Sequence, residues 1–365
     1  MSTQSSKRNV LVVGAGRLGS AIIRRLQASE NYGVSIADPH RETLQRNRAM
    51  GVEGVELCGT QYLPILKNAM QNVSAVICAA PDFVALDVAR AALECGCHYL
   101  DAAENPATRS QIGALAAGAG SAFVPGCGLA PGYVSSLAAE VLREAGPGAE
   151  ITVYVGALPK QRINRLGYGN MWGIDGLMTE YTSPCRAIRA RQIVDLLPLS
   201  ELEDFHFKGM KFEAFTTAGT LDDLVQSNAG RVNGLAFKTI RYPGHLDYMK
   251  LLIDDLGLGA RTAMLKSLLL NGLPRVDADQ LIVCVEARAA AGTDLPLRRE
   301  LHFTSTELPG GQSESSVASV SADHVCSVMD LLCGESLPAH GLLSHSEISL
   351  GTLSQSVFFK PLDQG

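Results

Sequence analysis

A glycine-rich loop near the amino terminus is the first place where residue types and spacing indicate chemistry. An apolar run over 9–13 precedes it, and a helical pattern follows it. In the pattern G-x-G-x-x-G, the first glycine permits a tight turn, the second lets the backbone approach a pyrophosphate, and the third lets the helix pack on the strand. The N–H groups at the start of the helix favour an anion. A turn that binds no ligand is the alternative. We predict a dinucleotide site here, formed by Gly14, Gly16, Arg17, Leu18 and Gly19.

Two further positions refine the cofactor prediction. Asp38 ends the second predicted strand, where a carboxylate holds ribose hydroxyls and repels a 2′-phosphate. Arg41 could partly compensate that repulsion, so the sequence predicts NAD and leaves NADP open. Small residues in the turn after the fourth predicted strand let the backbone pass beneath the nicotinamide-side ribose, although an ordinary turn explains the proline equally well. This turn adds Ala79, Ala80 and Pro81 to the predicted cofactor site.

Four charged or titratable residues are candidates for work on a substrate. Asp101 ends the fifth predicted strand, where it would hold a substrate amine or take its proton, with helix capping as the alternative. Arg241 would clamp a carboxylate with its planar guanidinium, unless it makes a structural ion pair. Lys238 is a catalytic candidate, but a regular strand points it away from Arg241. His245 follows a Pro-Gly turn and is a candidate for substrate binding or acid–base work, or for a capping role.

The elements that position these residues alternate over the first 130 residues. Strands separated by helical patterns predict an α/β fold with a doubly wound parallel sheet of six strands over 1–130. After the turn-rich stretch 126–132 this alternation ends. Strand candidates at 150–155, 213–217, 237–241, 281–289 and 298–305 predict a second, α+β domain with an antiparallel or mixed sheet over 131–320.

Composition excludes several classes of protein. The 365 residues contain 31 basic and 37 acidic side chains, and the net charge of −6 argues against nucleic acid or an anionic membrane as a partner. No apolar stretch approaches the ~20 residues of a membrane span, and the polar start lacks a signal core, so we expect a cytoplasmic protein. The nine cysteines form no C-x-x-C pair and the eight histidines no H-E-x-x-H pattern, so we expect reduced thiols and no metal site.

The chain resembles the saccharopine dehydrogenase-like family from about residue 9 to 255. The segment 124–132 is similar to its P-x-x-G-x-x-P-G signature, and the block 238–245 is most similar to the lysine 6-dehydrogenase branch. The Gly126-Cys127 pair instead resembles the saccharopine reductases. Further similar blocks lie at 156–159, 166–172, 176–177, 180–181 and 213–219.

The resemblance carries its own expectations. It implies a homodimer formed largely by the second domain and a closing helix near 323–333 that joins 320–365 to the nucleotide domain. It places Cys127 near the nicotinamide, where a thiol lines the pocket, and Trp172 beside the substrate, where it excludes water. Core packing is the alternative for Trp172.

The function predicted from sequence is NAD-dependent oxidation of a CH–NH2 group of an amino acid. Its most concrete form is oxidative deamination of L-lysine at the ε-carbon. The first alternative is a saccharopine- or carboxynorspermidine-type enzyme that acts on a secondary amine. The second alternative is a non-catalytic nucleotide sensor. The expected partners are a small amino acid or amine and a second copy of the chain.

Overall fold

The computed structural model describes residues 7–219, 221–276, 278–290 and 296–360. These divide into two compact units, one of 7–136 with 318–360 and one of 137–317. The first unit extends past the glycine-rich turn after 124 because Cys127 and Tyr133 pack within it. Among the described helices, none combines the length and apolar character needed to cross a membrane.

The amino-terminal part of the first unit alternates strand and helix. In the first strand the four residues from Val10 to Val13 are all buried, as expected for a parallel sheet covered on both faces. The strands are β1 Arg8–Val13, β2 Tyr32–Asp38, β3 Glu53–Glu56, β4 Ala75–Cys78, β5 His98–Asp101 and β6 Ala122–Val124. The helices are α1 Arg17–Ala28, α2 Arg41–Ala49, α3 Tyr62–Ala69, α4 Asp82–Cys95 and α5 Pro106–Ala116, with a 3-10 turn at Gly59–Gln61.

Strand order sets the place of the glycine loop. The six strands run β3-β2-β1-β4-β5-β6, so the order reverses between β1 and β4. In such sheets a ligand binds at the carboxyl ends of the strands beside this reversal. The loops that leave β1 and β4, beginning at Gly14 and Ala79, therefore lie side by side there.

The second unit is built on a mixed sheet. Its long path is β10-β11-β12-β7-β13-β14, in which only β7 and β12 are parallel, while β8 pairs with β12 and β9 with β8. The strands are β7 Glu150–Pro159, β8 Cys185–Arg189, β9 Gln192–Leu196, β10 Glu203–Phe207, β11 Met210–Thr216, β12 Gly234–Arg241, β13 Asp279–Arg288 and β14 Leu297–Thr304, and β15 Thr306–Leu308 pairs separately with β16 Gln312–Glu314.

Helices complete this unit. They are α6 Tyr133–Ala145, whose residues up to 136 belong to the first unit, α7 Ile174–Thr182, α8 Asp222–Asn228, α9 His245–Lys250 and α10 Thr262–Gly272, with a π-helical turn at Leu251–Asp255 and a 3-10 turn at Leu258–Ala260. Every residue of β12 is buried, including its charged ones. The predicted fold class, a doubly wound parallel sheet with a second mixed-sheet domain, is confirmed.

The carboxyl-terminal segment closes the first unit. It consists of helix α11 Ser316–Cys333, strand β17 Gly341–Leu342, a 3-10 turn at His345–Glu347 and helix α12 Leu350–Leu353. The Tyr32 hydroxyl donates to Asp330 of α11 at 2.5 Å, and Arg25 pairs with Asp323. Strand β17 pairs in parallel with β6 and becomes a seventh strand. A strand of only two residues shows no strand pattern in the sequence, so the sequence predicts six strands for this sheet.

Candidate functional site

The glycine loop leaves room for a ligand at one position and none at two others. Gly14 has φ of +87°, and a Cβ there would lie 2.9 Å from the Ala80 nitrogen. A Cβ on Gly19 would lie 1.9 Å from the Gly14 carbonyl oxygen, so the third glycine is required for helix packing. At Gly16 no atom lies within 4 Å of an added Cβ among the described residues. Gly14 and Gly19 thus have the turn and packing geometry predicted for them, and Gly16 has the open space that its predicted role requires.

The first turn of α1 fits a phosphate. Gly16 is its N-cap and supplies no side-chain acceptor. The first backbone N–H groups of a helix, here those of Arg17 and Leu18, have no partner within the helix and carry a partial positive charge. With the open space at Gly16, these groups would hold the pyrophosphate of a dinucleotide.

Asp38 is held against this loop. Its Oδ2 accepts from the Ala15 nitrogen at 2.8 Å and its Oδ1 from the His40 nitrogen at 2.8 Å, and the side chain is buried. Arg41 is exposed and its Nε lies 2.7 Å from Glu56 Oε2. The carboxylate is thus fixed beside the glycine loop, while the nearby cation already has an acidic partner.

The turn after β4 joins the same loop. The Ala79 nitrogen donates to the Val13 carbonyl at 2.8 Å, and Pro81 is the N-cap of α4. Ala79 and Ala80 are half-buried and Pro81 is exposed. The structure therefore brings the predicted turn to the glycine loop.

The carboxylate of Asp101 is hydrogen-bonded to the segments around it. Its Oδ1 accepts from the nitrogens of Ala103 at 2.8 Å and Gly126 at 2.7 Å, and its Oδ2 accepts from the Tyr99 hydroxyl at 2.6 Å. Only 1% of the residue is exposed, and burial raises its carboxyl pKa. These contacts tie the loops after β5 and β6 together, so each oxygen of Asp101 already has a donor within the first unit. The Ala103 contact caps the segment that follows β5, as the alternative predicts, whereas Asn105 caps α5.

Cys127 lies in the core and not at a pocket surface. It is fully buried in the apolar cluster of the first unit, and burial raises the pKa of its thiol well above the ordinary value. A buried neutral thiol is a poor nucleophile. The structure gives the predicted catalytic role of Cys127 no support.

In the second unit a hydrogen-bonded chain runs through Arg241. Its Nε donates to the Tyr181 hydroxyl at 2.8 Å, and that hydroxyl lies 2.9 Å from His245 Nε2. His245 Nδ1 lies 2.9 Å from the Leu166 carbonyl, which only accepts. Nδ1 therefore carries the proton and Nε2 accepts from Tyr181. Burial and the Arg241 charge lower the pKa of His245 to about 3, so this histidine stays neutral and positions Tyr181.

Arg241 is a buried cation that makes no close ion pair with the described residues, although Glu180 lies near enough for the two charges to interact. It is 2% exposed, and its guanidinium lies 5.0 Å from the centre of the Tyr168 ring. Its Nε and Nη1 donate to the Tyr181 hydroxyl and the Ile240 carbonyl, and within the described part of the chain no carboxylate lies within 4.0 Å of it. A buried charge is costly unless it is paired. The arrangement fits an anionic ligand, as the predicted carboxylate clamp requires.

Two neighbours complete this cluster. The Trp172 indole donates to the Tyr168 hydroxyl at 2.7 Å, so it supports the ring that underlies Arg241. Glu180 is half-buried, and loss of solvation raises its pKa to about 7 although the Arg241 charge opposes that rise. Tyr168, Glu180 and Tyr181 were missed as site residues, although Glu180 and Tyr181 form one of the blocks on which the family resemblance rests.

Lys238 is separate from this cluster. Its Nζ lies 3.1 Å from Glu203 Oε2 and donates to the Glu201 carbonyl at 2.8 Å. Strand alternation points it to the face of β12 opposite to Arg241, as the sequence predicts. Because its charge is matched there, a structural role explains Lys238 and the structure does not support a catalytic one.

The fold and these two groups of residues define the class of protein: a doubly wound α/β unit with a dinucleotide-type glycine loop, followed by a second unit with a mixed sheet. Comparison with known families agrees with this class. Residues 10–124 match the family model described as saccharopine dehydrogenase NADP binding domain, and residues 128–329 match the one described as saccharopine dehydrogenase C-terminal domain. The chain belongs to the saccharopine dehydrogenase family, whose members are NAD(P)-dependent amino-acid dehydrogenases.

Individual relatives are distant. The chain is 22% identical over 255 residues to mitochondrial alpha-aminoadipic semialdehyde synthase of Mus musculus. The matched region covers 67% of this chain and 28% of the mouse protein. Its fold is similar to that of apo saccharopine dehydrogenase (L-Glu forming) from Saccharomyces cerevisiae, with a TM-score of 0.75, 17% identity and 95% of each chain covered. At this identity the yeast structure shows a shared fold.

Proposed function

We propose that the protein oxidises an amine-bearing carbon of an amino acid with NAD, and that its substrate is L-lysine, attacked at the ε-carbon. The observation that carries this proposal is the buried guanidinium of Arg241, which has no carboxylate partner among the described residues. The α-carboxylate of an amino acid supplies the missing anion, and a planar guanidinium binds it through two parallel hydrogen bonds. A nucleotide sensor without a substrate needs no such charge.

The reaction balances with the groups at hand. A bound oxidised nicotinamide would supply the acceptor for the hydride that leaves the ε-carbon. The substrate nitrogen loses a proton and becomes an imine, which water converts to an aldehyde and ammonia. Hydride leaves only from a neutral amine, so an ammonium substrate must first lose a proton to a base. Arg241 holds the far end of the substrate, and Tyr181 with Tyr168 fixes Arg241.

Glu180 is the group that we propose as the proton acceptor. A base with a pKa near neutrality is effective in proton transfer at physiological pH, and the pKa of Glu180 is about 7. Glu180 lies in α7 of the same unit, where it interacts with the Arg241 charge without a close ion pair to it, so we propose that it faces the amine end of a substrate whose carboxylate Arg241 holds. Arg241 favours the charged form of Glu180, and a bound substrate ammonium would do so as well.

The pH dependence follows from this pKa. The carboxylate must be deprotonated to accept a proton, so kcat/KM is expected to fall as pH drops through about 7. Glu180→Gln should remove this limb of the profile and lower kcat by about 10²- to 10⁴-fold. Asp175→Asn is the matched control, since Asp175 lies on the same helix with its carboxylate exposed and paired with Lys266. A limb near 7 that persists in the Glu180 variant would assign the proton to another group.

A saccharopine-type reaction on a secondary amine is the second candidate, favoured by the descriptions of the two family models and by the name of the yeast protein. A panel of L-lysine, saccharopine, other amino acids and diamines, assayed for reduced nicotinamide with and without added aldehyde, separates the candidates. We expect turnover with L-lysine alone. Turnover confined to saccharopine would favour the second candidate, and NADH binding without any turnover would indicate a sensor.

Cofactor choice provides a separate test. Because Asp38 is fixed beside the glycine loop and Arg41 is paired with Glu56, we expect NAD to be preferred over NADP. Asp38→Ser should narrow or reverse the preference, whereas Arg41→Ala should leave it unchanged, as measured by kcat/KM with each cofactor. A tenfold preference of the unaltered protein for NADP, about 1.4 kcal/mol, would contradict this assignment.

A further inference from the structure

Three potential metal ligands meet in the interior of the first unit. Cys127 follows β6, His324 lies in α11, and His345 begins the 3-10 turn after β17. The sulfur and one nitrogen of each ring all lie within 4.8 Å of one another, and all three residues are buried. In a tetrahedral zinc site, bonds of 2.0–2.3 Å place such atoms about 3.5 Å apart. Side-chain movements of about 1 Å would therefore close the site.

His345 is oriented in the way expected of a ligand. Its Nε2 lies 3.1 Å from the Pro125 carbonyl, which only accepts, so Nε2 carries the proton. Nδ1 of the neutral ring then presents a lone pair. In metal sites, a ligating histidine usually donates its other N–H to a carbonyl or a carboxylate, which fixes the orientation of the ring. Its backbone is also held, because the Ser136 hydroxyl donates to the His345 carbonyl at 2.8 Å.

His324 supplies the independent observation. It is 2% exposed, and neither of its ring nitrogens has a hydrogen-bond partner among the residues that the structure describes. Its ring centre lies 5.5 Å from that of His345 and 6.0 Å from that of Tyr133. A buried imidazole with both nitrogens unsatisfied is costly. A metal ion would satisfy one of them.

We propose that Cys127, His324 and His345 bind one zinc ion, which fastens α11 and the 3-10 turn to the loop after β6. Thiolate and imidazole are ligands that zinc prefers, and a water takes the fourth position. Binding releases the Cys127 proton to solvent and changes no oxidation state. The ion replaces an unpaired imidazole and a neutral thiol by metal bonds. Its role is structural, because it joins three segments of the first unit that are distant in sequence.

Metal content of the full-length protein tests the proposal. After treatment with a chelator and reconstitution with zinc sulfate, the unaltered protein should retain one zinc per chain through gel filtration. Zinc should also raise its unfolding temperature. Cys127→Ser and His324→Asn should each lose the bound zinc and the thermal shift. Cys326→Ser is the matched control, since Cys326 is equally buried and lies in α11, and it should retain both.

A second measurement needs no variant and applies if the substitutions prevent folding. Titration of the unaltered protein with cadmium should produce thiolate-to-metal charge-transfer absorption that saturates at one ion per chain. Absence of this absorption, together with no retained zinc, would overturn the proposal. Zinc retained by the folded Cys127 and His324 variants would overturn it as well, because the ion would then be bound elsewhere on the chain.

Discussion

Arg241→Lys is expected to lower kcat/KM for an amino-acid substrate by about tenfold or more. Lysine keeps the charge but offers a single ammonium in place of the planar fork, so one charge-assisted hydrogen bond to the substrate carboxylate is lost, a change of about 1.5–3 kcal/mol. It also lacks the Nε–H that donates to Tyr181 and the flat group that lies over the Tyr168 ring. NADH affinity should hardly change, because the glycine loop lies in the other unit. Steady-state kinetics and NADH titration measure the two effects.

Two controls separate the clamp from a structural role of Arg241. A diamine has no carboxylate, so its turnover should be almost indifferent to the substitution. Arg189→Lys, which alters an exposed ion pair with Glu201 in the same unit, should leave both substrates unaffected. Equal losses for diamine and amino acid, or loss of the folded state in a melting experiment, would show that Arg241 supports the fold and that the carboxylate is bound elsewhere.

Alanine is expected to destabilise the protein at the third loop glycine and to leave its stability unchanged at the second. Gly19→Ala places a Cβ 1.9 Å from the Gly14 carbonyl oxygen, so strand and helix must separate. Overpacking of this kind costs about 1–3 kcal/mol or more, and the melting temperature should fall together with NADH affinity. Gly16→Ala meets no described atom within 4 Å and has a φ of −70°, which alanine adopts freely. Its stability should not change.

The NADH affinity of the Gly16→Ala variant tests whether the cofactor pyrophosphate binds at this loop. If the open space at this glycine receives the pyrophosphate, the added methyl group should weaken NADH binding about tenfold or more, or about 1.4 kcal/mol, in a protein with an unaltered melting temperature. Gly120→Ala controls for the substitution itself, because this exposed glycine has no positive φ and an added Cβ meets no described atom within 4 Å. Unchanged NADH affinity of Gly16→Ala would place the cofactor phosphates away from this loop.

Local sequence determined the nucleotide half of the molecule. The run over 9–13, the glycine spacing and Asp38 are each read within one βαβ unit, where strand, turn and helix follow one another along the chain. Helical and strand periods also gave the fold class, the mixed nature of the second sheet and the opposite directions of Lys238 and Arg241. Such features can be predicted from the sequence because each is fixed by neighbours within a few residues.

Contacts between distant segments decided the rest. Asp101 has the right place at the end of its strand, but the backbone of Ala103 and Gly126 and the Tyr99 hydroxyl take up its oxygens. A sequence does not show which acceptors are already satisfied. Burial likewise makes Cys127 a neutral core thiol, and no local pattern marks its burial.

The two polar clusters depend wholly on the tertiary structure. Tyr181 and Arg241 are 60 residues apart, and His345 is 220 residues from the carbonyl to which it donates. Neither pairing follows a helical or strand period, so no spacing could predict them, and the absence of a metal motif in the sequence did not exclude a site assembled from three segments. The amino-acid sequence alone determined which elements form and which loop is predicted to bind a dinucleotide. Only the folded chain decided which buried charges and donors remain without partners, because that depends on every other segment that packs around them.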